Sequence, residues 1–235
     1  MQRNIVLLCV LIFGLLSAQC RSEDMPSSED VRRNGEPLVN RIGKVLPIDA
    51  APLEEQILRH MLPEPRTLDV SINNYDAAGS LTLYDPLLKM NTSHELIPAA
   101  AARWGVSDDG LVWTFHMRAD GRWSDGRSVT AHDFEYTYRR LLDPDGGNVY
   151  AFFYYDLKGA KAYNQRENTD PGSIGVRAVD DLTFEIETEQ PCAFLPYITS
   201  FSSSSPAPQW QVEKYGRRWT EVGNCVSNSA FQLET

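Results

Sequence analysis

The densest set of chemistry-capable side chains lies in WSDGRSVTAHDFEYTYRRLLDP, Trp123 to Pro144. His132, Asp133 and Glu135 stand there beside Arg139 and Arg140. His132 and Glu135 are three positions apart, so on a helix they share a face, as half of a metal site does. A metal centre needs further ligands at matching spacing, and no second pair of this kind follows. His60, His94 and His116 are scattered, and none lies beside a plausible Ser or Cys nucleophile. The chain has no GxSxG, no HExxH and no phosphate-binding loop. Triads assemble from distant residues, so a secreted hydrolase stays open as a reading. No catalytic residue, metal ligand or cofactor is assigned.

The polar residues of this stretch have structural uses. Trp123-Ser124-Asp125-Gly126 reads as a turn, with Gly126 free to take positive φ. Thr130 is a helix N-cap, and Asp133 stands three residues on as in a capping box. Phe134, Tyr138 and Leu141 then form one apolar stripe. Glu135 and Arg139 are four apart with the acid first, the arrangement of an exposed ion pair. Asp143-Pro144 stops the helix, because proline disfavours helical geometry in the residue before it. His132 is left as a surface histidine.

Two hairpins flank that helix in sequence. Around the turn Asp108-Asp109-Gly110, the residues Leu111, Trp113, Phe115 and Met117 alternate with Val112, Thr114, His116 and Arg118. Around Asp180-Asp181, Leu182, Phe184 and Ile186 alternate with Thr183, Glu185 and Glu187. Period two marks a half-buried strand. LTLYDPLL (Leu81 to Leu88) reads as a short helix limited by Pro86, and the alanines of LIPAAAARW (Leu96 to Trp104) as a helical turn. Ser202 to Ser205 before Pro206 reads as a loop, WQVEKYG as a short helix ending at Gly216, and CVSNSAFQLET as the start of a strand.

The 235 residues are 42% hydrophobic and 10% aromatic, enough to build a core. The formal net charge of -10 argues against a nucleic-acid partner, which rewards basic patches. MQRNIVLLCVLIFGLLSAQC has a basic start and an apolar run from Ile5 to Leu16, shorter than the roughly 20 residues of a spanning helix. Residues 1–20 therefore read as a secretory signal. Leu16-Ser17-Ala18-Gln19-Cys20 departs from a bacterial lipoprotein signal in its early Leu and its Gln19. Cys20 is a candidate lipidation site, and a single acyl chain would attach the protein peripherally. Residues 21–55, with Pro26, Pro37, Pro47 and Pro52, read as a tether and lead-in. Cys192 and Cys225 lack CxxC spacing, and whether they pair is open.

Six segments in one order carry a resemblance. They are PEPRTLD (Pro63–Asp69), LYDPLL (Leu83–Leu88), LIPAAAARWGVSDDGLVWTFHMR (Leu96–Arg118), RWSDGRSVTAHDFEYTYRRLLDP (Arg122–Pro144), GVRAVDDLTFEIETEQP (Gly175–Pro191) and VEKYGRRWTEVGNCVSNSAF (Val212–Phe231). Together they resemble the extracytoplasmic solute-binding proteins of peptide ABC importers, solute-binding protein family 5. The resemblance implies a mixed α/β fold of the periplasmic-binding-protein type II kind, incomplete here: part of the first lobe, residues 56–89 with 178–235, plus the small extra α+β domain of the family, residues 90–177.

By the same resemblance, the chain corresponds to the N-terminal half of such a protein and is the substrate-binding component of an oligopeptide importer. Its partners would be a peptide and the membrane permease, its location the periplasm or cell envelope, and its state a monomer. Tyr150, shortly after the helix-ending LLDP, and Asn228 in SNSAF match positions that reach the ligand cleft in the family. Ser229 replaces a glycine there. Asn73, Asn74 and Asp76 lie in a loop that approaches ligand in the family, and Asp76 suits a ligand's amino terminus. Without the second lobe the chain is expected to bind peptide weakly. The alternatives are another solute (metal chelate, haem, oligosaccharide), the hydrolase, or a non-functional fragment.

Overall fold

A computed structural model of the chain describes residues 38–40, 42–43, 45–59, 65, 67–72 and 82–234. The segment read as a signal, Cys20 and the residues Asn73, Asn74 and Asp76 lie outside these. The chain divides into two compact units, residues 1–58 and 59–235. In the first, Val39 bridges Val45 and the Leu46 N–H donates to the Leu38 carbonyl at 2.8 Å, closing a small loop. A 3-10 turn, Leu53–Glu55, follows.

The second unit is built on a four-stranded antiparallel sheet of order β3-β4-β6-β5: β3 Ala101–Val106, β4 Val112–Met117, β5 Val176–Asp180 and β6 Thr183–Glu187. Both expected hairpins are present. Trp113, Phe115 and Met117 are buried on β4, and Phe184 and Ile186 on β6. Register places Phe115 opposite Phe184 and Trp113 opposite Ile186, so one face is apolar and continuous. Leu182 belongs to the exposed turn instead. The sheet crosses the boundary expected at 177/178, since β5 spans it and β6 pairs with β4.

Helix α1, Ala131–Leu141, lies on that apolar face. Phe134, Tyr138 and Leu141 are fully buried, and the rings of Phe134 and Tyr138 lie 6.1 and 5.5 Å from that of Phe184. Thr130 and Asp133 form the expected capping box, and Gly126 has φ of 92°. The Glu135–Arg139 pair is half-buried rather than exposed, at 2.6 Å. Glu135 also accepts the Ala178 N–H at 2.9 Å, so it anchors the helix to edge strand β5.

Three local readings are corrected. The alanine run is bend and strand, not helix: β2 (Leu96–Pro98) pairs with β1 (Leu88–Met90), Ala99 and Ala100 form a bend, and Ala101 opens β3 opposite Met117. Pairing with the sheet overrides alanine's helix preference. In LTLYDPLL, Thr82 and Leu83 make a tight turn, Tyr84 to Pro86 are irregular and Leu88 is already in β1. From Cys225 to Glu234 the backbone is irregular and forms no strand; side chains of distant residues satisfy part of it.

The remaining helices are short: α2 Ala160–Asn164, α3 Leu195–Ile198 and α4 Gln209–Tyr215, the last ending at Gly216 as expected. Among the described residues no helix is long and apolar enough to cross a membrane. The serine loop is buried at Ser203, Ser204 and Ser205. Ser203 Oγ meets the Tyr154 hydroxyl at 2.7 Å, and the Ala207 N–H donates to Thr137 Oγ1 on α1 at 2.7 Å, so hydroxyls take the place of a ladder.

Candidate functional site

The side chains that first drew attention do not form a reactive centre. Asp133 accepts the Thr130 N–H at 2.8 Å and the Trp123 indole N–H at 3.3 Å. Burial raises its carboxyl above the usual range, opposed by these bonds. His132 is exposed, and its Nε2 lies 3.4 Å from Asp181 Oδ1, across from the β5–β6 turn. Among the described residues no group of three or more His, Cys, Asp or Glu side chains could hold a metal ion. Cys192 and Cys225 are free thiols. Burial raises both, the Cys225 thiol facing the Tyr84 hydroxyl at 3.1 Å, which is the reverse of nucleophile activation.

Tyr150 stands where the chain turns into a 3-10 segment, Ala151–Tyr154. The Asn148 side chain prepares that turn. Its Oδ1 accepts the Tyr150 N–H at 2.9 Å, and its Nδ2 donates to the Ser71 carbonyl at 3.0 Å. The Tyr150 ring stacks on Phe153, with centroids 5.7 Å apart and planes at 17°. Phe201 meets it edge-on at 5.3 Å and 79°. Phe152 completes the group, 4.4 Å from Phe153. Phe152, Phe153 and Phe201 keep 55%, 42% and 38% of their surface exposed, a large aromatic patch for an acidic surface.

Asn228 pairs with backbone. Its Oδ1 accepts the Asp85 N–H and its Nδ2 donates to the Asp85 carbonyl, each at 2.9 Å. The next residue, Ser229, donates its hydroxyl to the Thr82 carbonyl. Ser124 and Ser227 exchange hydrogen bonds, Ser124 N–H to Ser227 O at 2.7 Å and Ser227 N–H to Ser124 Oγ at 3.1 Å. The C-terminal stretch is thus tied to both Asp85 and the Trp123–Gly126 turn.

Ser71, just before residues 73–80, is tied to Asn148 beside Tyr150, and Thr82, just after, to Ser229 beside Asn228. The loop of Asn73, Asn74 and Asp76 itself lies outside the described residues.

Sequence reasoning missed Asp69, which is fully buried. Arg140 donates Nη1 to Oδ1 at 2.7 Å and Nη2 to Oδ2 at 2.5 Å, and the Trp219 indole adds a bond to Oδ2 at 2.7 Å. Asp69 Oδ1 also accepts the Ser71 N–H at 3.1 Å. No local signal marks these partners. Asn148 was legible in principle, because Asn two residues before a turn position commonly holds that residue's N–H.

Comparison with known proteins settles the family. Residues 95–235 match the family model described as "Bacterial extracellular solute-binding proteins, family 5 Middle". The chain belongs to this family. It is 36% identical over 156 residues to the periplasmic oligopeptide-binding protein OppA of Salmonella typhimurium, covering 66% of this chain and 28% of that protein. To the periplasmic murein peptide-binding protein MppA of Escherichia coli it is 31% identical over 185 residues, covering 77% of this chain and 34% of the relative. The structure superposes on Haemophilus influenzae OppA in complex with RPPGFSPFR with a TM-score of 0.69 at 32% identity, over 73% of this chain and 34% of that one. These likenesses establish the mixed α/β fold of the periplasmic-binding-protein type II kind over the matched part, and these relatives are binding proteins. The match spans about a third of the length of these curated relatives.

Proposed function

We propose that this chain belongs to the peptide-capturing component of an ABC importer and works by binding rather than catalysis. The observation that carries the reading is the ring cluster at Tyr150, which stacks on Phe153 and meets Phe201 edge-on while Phe152, Phe153 and Phe201 stay partly exposed. A ligand reaching these rings meets a flat, partly exposed aromatic wall. Peptide recognition without regard to sequence draws on such surfaces, with main-chain groups and flat rings in place of a fitted side-chain pocket.

On this reading Tyr150 contacts the ligand through its ring. Asn228 acts by holding Asp85, and the 73–76 loop supplies Asn73, Asn74 and Asp76 as polar contacts. Residues 90–177 form the family's extra domain and residues 56–89 with 178–235 the partial first lobe, the sheet joining the two through β5 and β6. The protein is exported to the periplasm or cell envelope, with Cys20 a candidate lipid attachment point, and acts as a monomer delivering peptide to a permease. Other solutes of the family, such as metal chelates, have less support, because the exposed rings at Tyr150 favour an organic ligand with apolar surface. Titration of the chain with a tri- to pentapeptide pool, alongside a Tyr150→Ala variant, tests the assignment: saturable binding that the substitution removes supports it, and binding indifferent to the substitution refutes it.

A further inference from the structure

The buried ion pair and the aromatic wall are joined. Arg140 and the Trp219 indole fix the Asp69 carboxylate by three hydrogen bonds of 2.5 to 2.7 Å. Asp69 Oδ1 takes the Ser71 N–H at 3.1 Å. The Ser71 carbonyl takes Asn148 Nδ2 at 3.0 Å, and Asn148 Oδ1 takes the Tyr150 N–H at 2.9 Å. Asp69 and Ser71 are fully buried and Asn148 nearly so, so water does not compete for these links. The relay starts at a charge held from α1 and from the segment after α4, and it ends on the backbone that aims one ring.

We propose that Asp69 is a positioning residue for Tyr150, acting through Ser71 and Asn148 to set the ring against Phe153 and Phe201. Its role in recognition rests on the reading of Tyr150 as a ligand contact; the positioning itself does not. A carboxylate suits the task because it accepts from every neighbour at once: two guanidinium N–H groups, an indole N–H and a backbone N–H. An amide at position 69 would turn one donor toward Arg140 or Trp219, which have only donors to offer. The Ser71 backbone would then shift, and Asn148 with it.

The test places 3-fluorotyrosine at position 150 of the full chain and compares the parent with Asp69→Asn, Asn148→Ala and a control, Gly126→Ala, at a positive-φ position in the turn before α1 that shares no hydrogen bond with the relay. Fluorine NMR reads the ring's surroundings, calorimetry the melting temperature, and titration with the peptide pool the affinity. The expected result is a displaced or broadened Tyr150 resonance in Asp69→Asn and Asn148→Ala, with affinity reduced about tenfold, the effect of misplacing one contact. Gly126→Ala, strained by its φ of 92°, lowers the melting temperature and leaves the resonance in place. A parent-like resonance in Asn148→Ala overturns the proposal, even if Asp69→Asn does not fold. A displaced resonance in a chain whose parent binds no peptide upholds the relay and removes the peptide reading instead.

Discussion

Arg140 holds Asp69 by two parallel hydrogen bonds although the residues are 71 positions apart. The carboxylate is fully buried, and the Arg140 side chain keeps 16% of its surface exposed. Removing one partner of such a pair leaves the other charge buried and uncompensated. Arg140→Ala is expected to cost about 3–5 kcal/mol of folding stability, measured by urea denaturation. A loss below about 1 kcal/mol, the range of an exposed pair, would show that the charge is reached by water.

Asp133 gives the fold a pH dependence. Burial raises its folded-state pKa above the unfolded value. Its stabilising contribution is therefore complete below the unfolded pKa and is lost as pH rises through the folded one. Asp133→Asn removes that titration while keeping an acceptor for the Thr130 N–H. Across the acidic range, the stability of the parent relative to the variant should fall as pH rises. A relative stability that climbs with pH would reverse the assignment.

Gly159 carries φ of 69°, and a Cβ there would stand 2.4 Å from the Ser173 carbonyl oxygen. Neither the backbone angle nor the contact suits an L side chain. Gly159→Ala should destabilise by more than about 1 kcal/mol, seen as a lower melting temperature. An unchanged melting temperature would mean that the loop before α2 relaxes freely.

Glu135 protects an edge. It accepts the Ala178 N–H on β5 and pairs with Arg139. In Glu135→Ala the Ala178 amide should exchange with solvent faster while the amides of β4 stay protected, at a cost of about 1 kcal/mol. Unchanged exchange at Ala178 would indicate that another group covers the edge.

What was legible in the sequence was local. The capping box of α1, its Phe134–Tyr138–Leu141 stripe and the alternation of β4 and β6 follow from spacing within a few residues. The alanine run misled because its strand state depends on partners such as Met117, and Ala101 is buried by them. Residues 225–234 misled for a related reason: hydrogen bonds exchanged with Ser124 and Asp85, and one donated to the Thr82 carbonyl, replace a ladder that the local pattern would otherwise need. Tyr150 and Asn228 were reached through family resemblance, whereas the Asp69–Arg140–Trp219 union joins positions that nothing in local spacing connects.

On the proposed function, peptide meets this chain at Tyr150. An NMR titration of the isotope-labelled chain with the tri- to pentapeptide pool, taken to about 1 mM peptide, tests it most directly. Saturable shifts are expected at Tyr150, Phe153 and Phe201, weaker than micromolar in affinity and abolished by Tyr150→Ala. Shifts absent at that concentration, or unchanged by Tyr150→Ala, would contradict it.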